Sequence, residues 1–294
     1  MKWTAKRLFK EAGIDPNLPY DLQECGEWTW SKFEELCSML TRDTDEDGII
    51  DVYGTCSNST DTLQCLVSST GKDFLAVAAD GTIYNNCKDK DVLRAMEFAA
   101  ELYQKGYEMP EPEGATGDWQ IAAFQNGKAA MQFGEEALCK TNAPYGENCM
   151  SDEVGFVILP KPDGQKEYHT YVYGNVWVIP SCYDAETASD IAFAYNLYTD
   201  ELPGYDYGVW DEPYEYDDYA YDFHRPGRFD ERVLKETLPR YHDGETANFL
   251  ICYLVDGLTV DDLSKYYPFC DKTPEECVDE VWDAWQELID ACNI

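Results

Sequence analysis

Residues 43–51 read DTDEDGIID, and this is the stretch whose spacing most directly suggests chemistry. Carboxylates stand at the first, third, fifth and ninth positions (Asp43, Asp45, Asp47, Asp51), with Gly48 at the sixth. Hard oxygen ligands at alternate positions of a tight turn can surround one Ca2+ ion, and the Ile49 carbonyl would supply the seventh position. The twelfth position holds Gly54 where an EF-hand has a bidentate Glu, and no helix pattern follows directly. The expectation is an isolated structural calcium loop; the same residues also make an ordinary solvated acidic turn. A second chemistry-bearing stretch is Gly204 to Phe223, crowded with Tyr, Asp and Glu around Trp210. Aromatic faces beside carboxylates are how proteins hold sugars, since rings cover C–H faces and carboxylates take hydroxyls. A tyrosine-rich surface loop has the same composition.

Motifs for covalent catalysis are missing. No G-x-S-x-G elbow, H-E-x-x-H pair, P-loop or dinucleotide fingerprint occurs, and His169, His224 and His242 are the only histidines. A carboxylate pair could hydrolyse glycosides, but among 58 acidic residues none can be singled out. Two alternatives to a binding protein therefore stay open: a glycoside hydrolase or other carbohydrate-active enzyme, and a calcium-dependent interaction module.

The net charge of −36 argues against nucleic acid and anionic membranes as partners. With 294 residues, 44% of them hydrophobic, the chain can bury a sizeable core, and no apolar run is long enough to span a bilayer. Met1 is followed by charges and a helical pattern, not by a signal peptide. None of the 12 cysteines forms C-x-x-C. Cys139 with Cys149, and Cys270 with Cys277, would close short loops that an exported protein could oxidise. Buried thiols packing as small apolar residues are the other expectation.

The elements that must position these groups are an alternation of helices and strands. Helices are expected over Ala5–Ala12, from Thr29 or Ser31 to about Thr41, from Asp91 to Gly106, over Trp119–Gln125 and from Thr273 to the end. Asp15 to Gly26 reads as a Pro-containing loop, and Asp80-Gly81 as a hairpin turn. Ala129–Phe133 is a strand with Gly134-Glu135-Glu136 at its end. Tyr171–Ile179 is another, stopped by Pro180 and followed by an Ala-rich helix capped by Asp184. Trp28 and Trp30 are expected as core anchors.

Five of these stretches stand in a recognisable order: LFKEAGI from Leu8, WTWSKFEELCSMLT from Trp28, FQNGKAAM from Phe124, VGFVILPKPDG from Val154, then strand, Ile-Pro and helix through Thr199. The chain resembles the extracellular solute-binding proteins of ABC importers, in the maltose-binding-like branch. The resemblance implies an α/β, periplasmic-binding-protein-like (type II) two-lobe fold with the first lobe incomplete. The second lobe would span 1–155 plus 245–294; residues 156–244 would form the remainder of the first lobe, the hinge crossover and the acidic insertion. It implies a monomer that closes on a sugar or oligosaccharide and presents it to a membrane permease. It also implies an extracellular, membrane-anchored full-length protein whose signal, anchoring Cys and most of the first lobe are absent here. The ligand face would comprise Asn58 and Asp61 in the loop after a short strand, Gly134 and Glu135 beyond a strand end, and Tyr173, Gly174, Asn175 and Trp177 on the returning strand. Trp119 and Trp210 are further aromatic candidates. Ala137 and Leu138 occupy the place where the family often has a stacking Trp.

Overall fold

The structure, a computed structural model, describes residues 2–115, 117–135, 138, 144–145, 149–172, 179–180, 182–199, 229–241, 247–249 and 251–293. The chain opens with strand β1 (Lys2–Ala5) and helices α1 (Lys6–Glu11), α2 (Leu18–Glu24) and α3 (Trp30–Leu40). Strand β2 (Tyr53–Cys56), helix α4 (Ser59–Ser69) and the hairpin β3 (Leu75–Val77) and β4 (Ile83–Asn85) follow. Next come α5 (Lys90–Gln104), α6 (Trp119–Gln125), β5 (Ala129–Phe133), β6 (Val154–Val157) and β7 (Thr170–Val172). After α7 (Ala185–Thr199) a π-helical turn, Val233–Thr237, leads into α8 (Leu238–Tyr241). Strand β8 (Ala247–Phe249) and helices α9 (Asp261–Ser264) and α10 (Pro274–Cys292) complete the order.

Local chemistry explains most element ends. Thr29 caps α3 by accepting the Lys32 N–H, so the cap is Thr29 and not Ser31. Asp89, not Asp91, caps α5. Thr273 and Glu276 form a capping box at the start of α10, with Pro274 in its first turn. Asp184 accepts the Thr187 N–H at 2.8 Å at the start of α7. Helix α2 replaces the expected loop. Pro19 stands in its first turn, where the missing N–H is no loss, so this proline starts a helix.

The central sheet has the order β2-β5-β1-β6. β2 runs parallel to β5, and β1 is antiparallel to both β5 and β6. Helix α3 turns Trp30, Phe33, Leu36, Cys37 and Leu40 inward. Trp3 is fully buried on the sheet, its ring centroid 4.3 Å from Phe156 and stacked on Phe229 at 5.9 Å. Trp28 and Trp30 are core anchors as expected. Trp28 Nε1 donates to the Ile158 carbonyl at 2.8 Å, and Trp30 stacks on Phe98 at 4.7 Å.

Two compact units result: Met1–Val172 with Pro226–Ile294, and Tyr173–Arg225. The larger unit thus takes in residues 156–172 and the helical turns Val233–Thr237 and Leu238–Tyr241, which were expected with the other lobe. Strand pairing is the reason for the first, since β6 runs across position 155 in register with β1. Hydrogen bonding is the reason for the second: Gln23 Nε2 donates to Thr237 Oγ1 at 3.1 Å, and Tyr20 OH donates to Asp230 Oδ2 at 3.0 Å. In the smaller unit, α7 keeps its apolar residues at the surface, Tyr198 being 86% exposed. Cys37, Cys56, Cys65 and Cys87 are buried and pack as small apolar residues. Cys270 and Cys277 are free thiols, so the expected short-loop disulfide between them is not formed; Cys139 lies outside the described residues.

Candidate functional site

Parallel pairing of β2 with β5 carries two expected ligand segments to one edge of the sheet. The register Thr55↔Met131 and Cys56↔Gln132 sets Ser57 and Asn58 beside Phe133 and Gly134 at the carboxyl ends of both strands. In α/β sheets this is where ligands bind. Asn58 is the N-cap of α4: its Oδ1 accepts the Asp61 N–H, and its Nδ2 donates to Asp61 Oδ2, both at 2.7 Å. Burial pushes the Asp61 carboxyl up to about 6; the Asn58 hydrogen bond opposes this, and the charges of Glu135 and Asp118 add to it. Asp61 therefore joins Glu135 in one electrostatic neighbourhood. Gly134 is glycine for a steric reason, since a Cβ there would lie 2.9 Å from Trp3 Cδ1. Trp3 Nε1 donates to the Glu135 carbonyl at 3.1 Å and fixes this turn from below.

Trp119, at the start of α6, helps line a cavity of about 330 Å3 with Ser57, Ser59, Glu108, Ser264 and Tyr267. Its Nε1 is buried with no hydrogen-bond partner among the described residues, as is the Ser57 hydroxyl. Buried donors of this kind are ordinarily satisfied by water or ligand. Four of the ten expected ligand-face residues, Asn58, Asp61, Gly134 and Glu135, are thus brought to one sheet edge, and Trp119 to the cavity beside it. Tyr173, Gly174, Asn175, Trp177 and Trp210 lie outside the described residues.

Glu108, Ser57 and Tyr267 were not foreseen. A single parallel bridge, Thr55↔Glu108, places Glu108 against the outer edge of β2. It is only 3% exposed. Burial pushes its carboxyl up to about 7, against the opposing hydrogen bonds of Tyr267 and Thr62 and the charge of Lys2. Lys2 is itself fully buried, its Nζ donating to Thr55 Oγ1 at 2.6 Å and lying 3.4 Å from the Phe133 ring centroid.

The acidic loop is closed by the Arg42↔Val52 bridge. Carboxylate oxygens of Asp43, Asp45 and Asp51 lie within 4.8 Å of one another. Asp47 departs from the expected ligand set: its Oδ1 accepts the Ile49 N–H at 2.8 Å, and it does not join the group. Asp43 is oriented by the Glu46 and Gly48 N–H groups, and Asp51 by Thr44.

The sequence pattern of the bacterial extracellular solute-binding proteins matches residues 1–201. This chain belongs to that family, and its fold is that of the two-lobe type II binding proteins. Among solved structures it is similar to the sugar-binding protein MalE of Xanthomonas citri, with a TM-score of 0.56 and 14% identity over 99% of this chain and 68% of that one. A solute-binding protein of Thermotoga lettingae bound with α-D-tagatose gives a TM-score of 0.58 and 14% identity, covering 98% of this chain and 70% of that one. An ABC substrate-binding protein of Listeria monocytogenes in complex with cycloalternan gives 0.55 and 15%, covering 98% and 69%. No curated protein sequence matches the chain.

Proposed function

We propose that this chain captures a sugar or oligosaccharide as the substrate-binding component of an ABC importer and presents it to a membrane permease. The observation that supports this reading is the gathering of Asn58, Asp61, Gly134 and Glu135 at the carboxyl ends of β2 and β5, where Ser57 and Ser59, the neighbours of Asn58, line the cavity walled by Trp119 and Tyr267. That edge offers amide and carboxylate acceptors for hydroxyls and aromatic faces for C–H surfaces. Sugars bound to two of the similar structures point the same way. In this reading the protein works outside the cell, at the membrane that carries the permease.

A thermal-shift screen of mono- and oligosaccharides against amino acids and peptides tests the assignment. A bound sugar at about 100 times its Kd stabilises by about 2.7 kcal/mol, which raises Tm by about 5–10 °C. Shifts with peptides alone would refute the sugar assignment. Turnover of a glycoside, lost in Glu135→Gln, would revive the hydrolase alternative.

The convergence of Asp43, Asp45 and Asp51 supports a calcium ion in the acidic loop. Calcium is expected to raise Tm by several degrees through mass action, and Asp45→Asn to abolish that rise. Equal melting in calcium and in chelator leaves a solvated acidic turn.

A further inference from the structure

Glu108 is a buried carboxylate in the wall of the cavity beside Trp119, and it forms no ion pair among the described residues. Its Oε1 accepts the Thr62 hydroxyl at 3.0 Å, and its Oε2 bonds the Tyr267 hydroxyl. A carboxylate has about four lone-pair positions, so acceptor capacity remains. The Tyr267 oxygen also lies 3.1 Å from the Ala99 carbonyl. When Glu108 is ionised the Tyr267 hydroxyl donates to it, and the Ala99 carbonyl lies within α5. Two donors leave the carboxylate with open acceptor positions toward the cavity. Ser57, 3% exposed, and Trp119 Nε1 face the same space with donors that lack partners.

The charges around it are few. Glu111 and Lys265 line the same cavity, and Tyr103 and Tyr267 are its titratable rings. Lys265 Nζ lies 3.9 Å from Asp262. On the far side stand Lys2, held by Thr55, and the buried thiols of Cys37 and Cys56. Lys265 is thus the one basic group lining the cavity among its described residues.

We propose that Glu108 sets the choice of ligand in this cavity: its carboxylate accepts a hydrogen bond from a hydroxyl or ammonium group on a sugar ring and turns away sugars that carry an acidic group there. This deepens, and rests on, the solute-binding reading above. The donor can come from a neutral sugar or from an amino sugar, and matched probes separate the two.

The test is calorimetric titration of the whole chain at pH 8 with neutral hexoses and disaccharides, their 2-amino-2-deoxy counterparts and the corresponding uronic acids. Uronic acids are expected to bind at least 100-fold more weakly than the neutral probes. Amino sugars binding more tightly than neutral ones assign the donor to an ammonium group; equal binding assigns it to a hydroxyl. Glu108→Gln, nearly isosteric, is expected to narrow the neutral-to-uronic gap at least tenfold and to abolish the loss of affinity on going from pH 8 to pH 5.5. A uronic acid bound as tightly as its neutral counterpart in the unsubstituted chain would pair with Lys265 and overturn the part given to Glu108, leaving the sugar reading intact. An unchanged gap in Glu108→Gln overturns it equally. No binding of any sugar probe removes both.

Discussion

Gly54→Ala is expected to destabilise the protein by about 3 kcal/mol, at the upper end for an overpacked core, and to lower Tm by about 10 °C. A Cβ at position 54 would lie 2.5 Å from both Cα and the carbonyl oxygen of Cys37. These are backbone atoms in the middle of α3, so no rotamer change relieves the contact, and strand and helix must part. The helix cannot give way cheaply, because Phe33, Leu36 and Leu40 bury its inner face. Nor can β2 move alone, since it is tied to β5 on one side and, through Thr55, to Glu108 on the other. Gly117→Ala is the control: nothing lies within 4 Å of a Cβ there. Melting curves that fall together for the two variants would show that α3 and β2 are not in close backbone contact.

Gly54 also shows how legibility varied along the chain. As the twelfth residue of an acidic loop it reads as a calcium motif gone wrong. The fold gives it a different reason to be glycine, one that depends on a helix packing across it. Signals that act within a few residues were readable. The capping box at Thr273, the Asp80-Gly81 hairpin and the strand at Ala129 need only their neighbours. Pro19 misled because the same residue breaks a helix interior and opens a first turn, and only the packing of Tyr20 and Gln23 decides between them. At the site, Gly134 and Glu135 were legible from the rule that ligands sit beyond strand ends. Asn58 and Asp61 came from family order, but their mutual hydrogen bonds, which make them a helix cap as well as a ligand face, did not show. Glu108 was invisible. It is one of 58 acidic residues, and what sets it apart is burial against a strand that begins 55 positions before it in sequence.

That burial makes the protein's stability depend on pH in a way one substitution should isolate. The Glu108 carboxyl is pushed from its ordinary 4.5 up to about 7, chiefly by burial. The folded state therefore holds this proton more tightly than the unfolded chain. Its contribution to stability is full below about pH 4.5 and is lost as pH rises through about 7. A displacement of that size corresponds to about 3 kcal/mol. Asp61 and Asp73, both pushed up to about 6 mainly by burial, act in the same direction. Lys2 acts in the opposite sense. Burial lowers it from 10.5 to about 8, so the folded state resists its charge, and stability recovers as pH rises from about 8 toward 10.5. Between about pH 4.5 and 8 the three raised carboxyls therefore weaken the fold together, Glu108 the most. In Glu108→Gln the side-chain carbonyl can accept from Thr62 while the amide donates to Tyr267, which frees the tyrosine proton for Ala99. The variant should match the parent near pH 4.5 and exceed it by about 3 kcal/mol at pH 8. Denaturant midpoints across this range measure the difference directly, and two curves that stay parallel from pH 4.5 to 8 would mean that Glu108 does not hold its proton through folding.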